Sequence, residues 1–394
     1  MKILQVIPYF AWSYGGPVRS IYELSKSLSE KGHDVTIFTT DVFRDHRIKN
    51  VDKIAFETNV KVCYFRCINN WLANNLKLHI SPEMRQAIKE DLDNFDVVHL
   101  HDYRSITHYY VQYYAKKYNV PYILQAHGSS PKVYGGQNLR FTVSKIFFDF
   151  FFGSKILGNS SKLIALTEKE ANQYLELGGD SKKIEIIPNG IQLSEYNELP
   201  EKGIFKNKYS IQDNEKVVLY LGRIHKIKGI DLLIDAFSEV LKELEGCRLV
   251  IVGPDDGFYS YLQNKIDNLK IGDSVLFTGP LYGQEKLEAY VDADVYVLPS
   301  IYETFPMTVL ESCACGTPFI ITNCCGIAKI VDGIGFVIEN DKDQLRNTLV
   351  SILSDDDSRI IIGENCKSFV KSRFNLPKII DRIESLYADL SIVD

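Results

Sequence analysis

Short apolar runs alternate with amphipathic stretches along almost the whole chain, and that alternation predicts its elements. Ile3–Ile7 reads as a strand, Gly15-Gly16-Pro17 as a loop, and the residues to about Lys31 as a helix. Gly32-His33-Asp34 then turns the chain into a second strand, Val35–Thr39. Further strands are expected at Asp96–Leu100, Tyr122–Gln125, Lys162–Leu166 and Ile184–Ile187. Two helix starts are written in residue chemistry. Ser81-Pro82-Glu83 offers a capping serine, a proline for the first turn and an acid for the helix dipole. Thr167-x-x-Glu170 has the form of a capping box, in which the glutamate reaches back to the threonine N–H.

A polar connection, about Gln192 to Lys216, interrupts the pattern, which then restarts. Strands are predicted at Val217–Leu221, Arg248–Val252, Val275–Thr278, Val295–Leu298 and Phe319–Thr322, with helices over Gly229–Leu244 and Gln284–Val291. Near-continuous Val, Ile and Leu between amphipathic helices imply parallel sheets covered on both faces. The fold class is therefore α/β: two Rossmann-like domains with parallel sheets facing a central cleft. The expected division is 1–195 for the first domain, 196–375 for the second, and 376–394 for a final helix that returns to pack on the first domain.

The chain has 394 residues, which at roughly 150 residues per domain favours two domains. Its net charge of −6 argues against nucleic acid as a partner. No apolar run approaches the ~18 residues needed to span a bilayer, and Met1–Pro8 reads as a first core strand and not as a signal peptide. The eight cysteines form no paired C-x2-C set, so buried free thiols in a reducing cytoplasm are expected in place of a zinc site.

The most informative segment is Tyr302-Glu303-Thr304-Phe305-Pro306-Met307-Thr308-Val309-Leu310-Glu311, followed by Cys315-Gly316-Thr317-Pro318. It follows an apolar strand and opens a helix, the place where an α/β protein holds an anionic ligand on orphan N–H groups. Glu303 falls in the loop and Glu311 on the first turns, so that one carboxylate meets each end of a nucleotide sugar. Gly222-Arg223-Ile224-His225-Lys226-Ile227-Lys228-Gly229 places a planar cation and a point charge in the loop after another strand. Together they suit a diphosphate and the charge it develops on leaving; taken alone they read equally as a solvated basic turn.

Other features are weaker. Gly15-Gly16 allows close backbone approach but is not G-x-G-x-x-G, so no nicotinamide cofactor is expected. His127-Gly128 ends a strand, where an imidazole serves catalysis or a sugar hydroxyl, although a lone histidine is more often structural. His99, His101 and Asp102 have no spaced partner for a metal and are expected to support the loops. Asp292-Ala293-Asp294 spells D-x-D, but Asp294 precedes its strand where a metal ligand should follow one, so no metal is expected.

In this order and separation the motifs resemble the family 4 retaining glycosyltransferases of the GT-B fold, in the type that builds bacterial and archaeal surface polysaccharide. The resemblance runs from Gly15-Gly16 through His127, Pro188-Asn189-Gly190 and Gly222-Arg223…Lys228-Gly229 to Glu303-x7-Glu311 and Cys315-Gly316-Thr317-Pro318. It implies that Arg223 and Lys228 bind the donor diphosphate and that Glu311 holds the ribose hydroxyls. Glu303 then lies near the transferred sugar, with the backbone of Phe305, Pro306, Met307 and Thr308 at its hydroxyls and phosphate. His127 belongs to the first domain's half of the active site, and Gly15-Gly16 lies at the pyrophosphate. The resemblance further implies no catalytic metal or cofactor, a UDP- or GDP-linked sugar as substrate, and front-face transfer with the leaving phosphate helping to deprotonate the acceptor. Pro306 stands where many relatives have glycine, and Ala328-Lys329 where proline and glutamate are common, so the donor sugar is not set by these residues.

The expected activity is hexosyl transfer from a nucleotide sugar to a glycan or lipid-linked glycan, in the cytoplasm or at the inner face of the plasma membrane. A nucleotide-sugar epimerase and a non-catalytic sugar-nucleotide-binding protein are the alternatives. Residues 141–157 add a membrane question, because Ile146-Phe147-Phe148-Asp149-Phe150-Phe151-Phe152 is flanked by Lys132, Arg140, Lys145, Lys155 and Lys162. They read as a helix pair under the first sheet, or as a peripheral contact with an anionic bilayer. The expectation is a division, some aromatics in the core and some touching lipid. Acceptor choice is expected from loops at about 12–14, 43–77 and 129–140.

Overall fold

A computed structural model describes residues 1–43, 46–76, 78–131 and 139–391. The chain divides into two compact units, Met1–Gly190 with Pro377–Asp394, and Ile191–Leu376. Lys77, Lys132 and the rest of 132–138, expected to help choose an acceptor, lie outside the described residues, as do the side chains of Arg140 and Phe141.

The first unit is built on strands β1 (Lys2–Tyr9), β2 (Asp34–Thr40), β5 (Lys61–Phe65), β6 (Val97–His101), β7 (Tyr122–Gln125), β8 (Lys162–Ala165) and β9 (Ile184–Ile186). A short antiparallel pair, β3 (Val42–Phe43) and β4 (His46–Arg47), stands apart from them. The sheet order is β5-β2-β1-β6-β7-β8-β9 and every pairing is parallel. Alternate residues of β1 feed opposite faces, as the strand period of two requires. Leu4 and Val6 join Met84, Ile88 and Tyr114 in one core, while Ile7 joins Val18 and Ile21 in another. Val18, Ile21, Ser25 and Leu28 form the buried stripe of the helix Gly16–Glu30, at the spacing that keeps one helix face inward. Each such aliphatic side chain contributes about 1.5–3 kcal/mol on full burial.

β5 and the helix Asn70–Leu76 fall within 43–77, which the sequence pattern leaves as a loop. The physical reason is position. β5 is an edge strand whose side chains are half-buried or exposed throughout, so the hydrophobic alternation that marks an inner strand is missing.

The second unit repeats the plan with β10 (Lys216–Leu221), β11 (Cys247–Val252), β12 (Val275–Gly279), β13 (Val295–Leu298), β14 (Phe319–Thr322) and β15 (Phe336–Ile338). Their order is β12-β11-β10-β13-β14-β15, again all parallel. The unit opens at Ile191 and not at 196, because the Ile191 N–H donates to the Phe374 carbonyl at 2.8 Å and its own carbonyl accepts from Leu376 N at 3.1 Å. The helix predicted over 229–244 ends at Val240, and Leu241–Glu243 continue as turns.

The last helix, Leu376–Ser391, belongs to the first unit from Pro377 onward. Its Asp381 and Glu384 pair with Lys31, and Glu384 also lies 2.7 Å from His33 Nε2. Arg382 donates to the Ile186 carbonyl at 3.0 Å. Tyr387 is fully buried in the same unit.

In both sheets one pair of neighbours marks a reversal of winding: β1 with β6, and β10 with β13. Loops leaving the carboxyl ends of such strands diverge and leave a crevice in which α/β proteins bind ligands. His127 follows β7, beside β6. Arg223 and Lys228 follow β10, and Glu303 follows β13.

Candidate active site

In the second unit the loops after β10 and β13 are tied together. Ile301 N donates to the Ile227 carbonyl at 2.9 Å. Gly229 adopts φ 66°, and a Cβ there would sit 2.0 Å from the Pro299 carbonyl oxygen, so only glycine lets the two loops come this close. Across the junction Lys228 Nζ pairs with Glu303 Oε2, both side chains mostly buried. Nearby, His225 Nδ1 accepts from Ile227 N at 3.1 Å, and burial lowers the imidazole pKa, which favours the neutral, accepting ring.

The helix Met307–Cys315 begins just beyond, at Pro306, which provides no side-chain cap. Val309 N donates to the Pro306 carbonyl at 3.2 Å, and no side chain caps the Met307 and Thr308 N–H groups before it. Tyr296 from β13 fixes this end: its hydroxyl lies 2.6 Å from Thr308 Oγ1 and 3.3 Å from the Leu221 carbonyl at the end of β10. Buried Glu311, on the second turn, accepts from Lys286 Nζ at 2.8 Å and from Tyr290 OH at 3.2 Å. Burial pushes the Tyr290 phenol well above its usual pKa, so it stays a donor. Phe305 is buried, its ring 5.8 Å from that of Phe374.

Of the four charged residues singled out in the sequence, Lys228 and Glu303 touch directly. Glu311 is held by other residues. Arg223 is 59% exposed at its side chain and pairs with Asp256. Lys286, Tyr290 and Asp256 carry no motif and were missed; Lys286 and Tyr290 sit on an ordinary amphipathic helix, Gly283–Asp292. The D-x-D carboxylates are already engaged. Asp292 accepts from Gly203 N and Lys206 N, and Asp294 accepts from Val217 N at 2.7 Å and pairs with Arg359.

In the first unit His127 occupies the left-handed region, φ 49°, with Gly128 at φ 87°. A non-glycine residue there stores strain and needs its surroundings to hold it. The hold comes from Glu170. Its carboxylate accepts from Gly128 N at 2.6 Å and from Leu166 N at 2.7 Å. This corrects the capping box: Thr167 Oγ1 does accept from Glu170 N, but the glutamate turns away to the His127 turn. Arg104 secures the following residues, donating to the Ser129 and Ser130 carbonyls and, in bidentate fashion, to Asp149 at 2.8 and 2.9 Å. His127 Nε2 lies 2.9 Å from His101 Nδ1. Burial lowers the His127 pKa to about 3, so the ring is neutral at neutral pH. Gly15, at φ 77°, precedes the helix that begins at Gly16, and a Cβ at either would meet no atom within 4 Å.

The aromatic segment divides. Phe148 is in the core and Phe152 packs against it, whereas Phe147, Phe150 and Phe151 are 59%, 75% and 47% exposed. Among the described residues no helix is long and apolar enough to cross a membrane.

Two Rossmann-like units, each built on an all-parallel sheet, form the GT-B architecture. The comparisons give the particular family. Residues 14–195 match the model "Glycosyltransferase Family 4" and residues 201–369 match "Glycosyl transferases group 1", and the chain belongs to the family 4 glycosyltransferases of the GT-B fold. It is 27% identical over 401 residues to an uncharacterized glycosyltransferase of Methanocaldococcus jannaschii, covering 98% of each chain. It is 29% identical over 240 residues to the UDP-Gal:alpha-D-GlcNAc-diphosphoundecaprenol alpha-1,3-galactosyltransferase of Escherichia coli, covering 59% of this chain and 61% of the other. Among solved structures it is similar to HepE of Anabaena in complex with UDP, with TM-score 0.79 at 17% identity, over 99% of this chain and 100% of that one. The likeness to HepE shows the fold.

Proposed function

We propose that this glycosyltransferase moves a hexose, with retention of configuration and without a catalytic metal, from a UDP- or GDP-linked donor to a glycan or lipid-linked glycan in surface-polysaccharide assembly. The observation that carries the reading is the Lys228–Glu303 pair at the reversal point of the second sheet, beside the uncapped start of the helix that holds Glu311. A diphosphate is the ligand such a place suits, with N–H groups, a helix dipole and a cation of matching sign. UDP in HepE and the UDP-galactose and diphosphoundecaprenol in the name of the E. coli relative support the donor and acceptor classes.

In this reading Lys228 and Arg223 take the diphosphate and stabilise the charge it gains on leaving. Glu311, oriented by Lys286 and Tyr290, accepts from the ribose hydroxyls. Glu303 faces the transferred sugar, the backbone of Phe305 to Thr308 contacts its hydroxyls and phosphate, and Gly15 and Gly16 lie at the pyrophosphate. His127, held neutral, is a polar partner for the sugar and adds no cation. The bond from the anomeric carbon to the phosphate oxygen breaks, and a bond to the acceptor oxygen forms on the same face. The acceptor's hydroxyl proton passes to the leaving phosphate, and nucleoside diphosphate departs. The exposed phenylalanines, with Lys145 and Lys155 on the same segment, dock on an anionic bilayer at the inner face of the plasma membrane.

The test is nucleotide release from a panel of UDP- and GDP-sugars, with and without acceptor glycans. Acceptor-dependent release with an axial-to-axial or equatorial-to-equatorial product supports the proposal. An isomerised donor, or free nucleotide formed equally without acceptor, indicates the epimerase reading. Binding with neither product indicates a sugar-nucleotide-binding protein.

A further inference from the structure

A row of buried polar side chains runs from His127 into the C-terminal helix. His127 Nε2 lies 2.9 Å from His101 Nδ1, and His101 Nε2 bonds Gln5 Oε1. Gln5 Nε2 donates to Tyr387 OH at 3.4 Å, and that hydroxyl lies 2.7 Å from His99 Nδ1. Gln5, His99, His101 and Tyr387 are all fully buried. Each interior link joins one donor to one acceptor, so the protons are not independent of one another. The Gln5 oxygen makes His101 Nε2 the protonated nitrogen and His101 Nδ1 the bare one. His101 Nδ1 must then accept from His127 Nε2–H. At the other end the Gln5 amide N–H takes the lone pair of Tyr387, which leaves the phenol proton for His99. Turning the Gln5 amide over would reverse every proton in the row. His127 Nδ1 is buried and without a partner; in this arrangement it is a bare lone pair, and the group that completes it is a donor such as a sugar hydroxyl.

We infer that Tyr387, acting through Gln5 and His101, is a positioning residue that fixes the tautomer of His127. The C-terminal helix, whose Tyr387 lies 260 residues beyond His127 in sequence, thus sets whether His127 meets substrate as an acceptor or as a donor. The coupling follows from cooperativity along a hydrogen-bonded row in a low-dielectric interior. Burial holds His99 and His101 well below the usual histidine pKa, so the row works with neutral rings. The functional part of this inference rests on the proposal that His127 faces the sugar.

The experiment is 15N NMR of histidine-labelled full-length protein at neutral pH, which reads the protonated ring nitrogen without any substrate, joined to kinetics. In the wild type His101 and His127 should both carry the proton on Nε2. Tyr387→Phe keeps the buried ring but removes the hydroxyl. It should bring in the Nδ1–H form at His127 and lower kcat about tenfold, with the donor KM within twofold. Gln5→Glu keeps an acceptor for His101 and should retain the wild-type tautomers, whereas Gln5→Leu should lose them. A proton on Nδ1 of either wild-type ring overturns the inference, as do unchanged tautomers in a folded Tyr387→Phe protein. A shifted tautomer with unchanged kcat overturns the positioning role. Should the wild type transfer no sugar at all, the tautomers still decide the row, and only the substrate role of His127 falls.

Discussion

Replacing Glu170 by glutamine tests how the His127 turn is held. Glu170 is fully buried, and burial raises its pKa from 4.5 to about 7 even though two backbone N–H groups, of Leu166 and Gly128, donate to it and pull the other way. A folded-state pKa above the unfolded one means that the folded chain binds the extra proton. Stability from this group is therefore full below about pH 4.5 and is lost as pH rises through about 7. The shift of roughly 2.5 units corresponds to about 3 kcal/mol. Glu170→Gln does not titrate. The difference in unfolding free energy, wild type minus variant, should fall by about 3 kcal/mol between pH 4.5 and pH 8, while groups common to both proteins cancel. Urea unfolding followed by tryptophan emission reads the first unit, because Trp12 and Trp71 both lie in it. A difference independent of pH would refute the reasoning. A difference that grows with pH would show that the two backbone donors outweigh burial and keep the carboxylate charged.

Lys228→Ala should lower donor affinity and turnover together, because its charge acts in the ground and transition states alike. Loss of one charge-assisted contact, about 1.5–3 kcal/mol, corresponds to a fall in kcat/KM of roughly 10- to 100-fold; an unchanged rate removes Lys228 from the site. Phe147→Ser with Phe151→Ser should reduce pelleting with anionic liposomes and raise solubility, whereas equal pelleting and solubility would count against the membrane contact. EDTA should leave transfer intact, and a strict need for a divalent ion would contradict the metal-free reading.

Both sheets were readable from the sequence because their inner strands are buried on both faces. Val295–Leu298 and Phe319–Thr322 form as the apolar runs predict. One edge of each sheet was not readable: β5 is only partly covered, and β15 spans three residues. At the site, Glu303 and Lys228 announced themselves by spacing, since both stand in short loops after inner strands. Their neighbours did not. Lys286 and Tyr290 reach Glu311 from another helix, and nothing in a helix's own residues marks what its face will meet. Glu170 shows the limit most clearly. Local chemistry assigned it to its own helix cap, but Gly128, placed by the fold beside that helix, offers a buried carboxylate a second donor. Tyr387 lay in a stretch legible as a helix, yet its hydroxyl acquires meaning only from Gln5 and His99.

The central claim is that the carboxyl edge of the second sheet grips a nucleoside diphosphate. Calorimetric titration of the full-length protein with UDP and with GDP tests it most directly. One of the two should bind the wild type, bind weakly or not at all to Lys228→Ala, and bind with reduced affinity to Glu311→Ala. Failure of both nucleotides to bind, or equal affinity in all three proteins, would contradict the account.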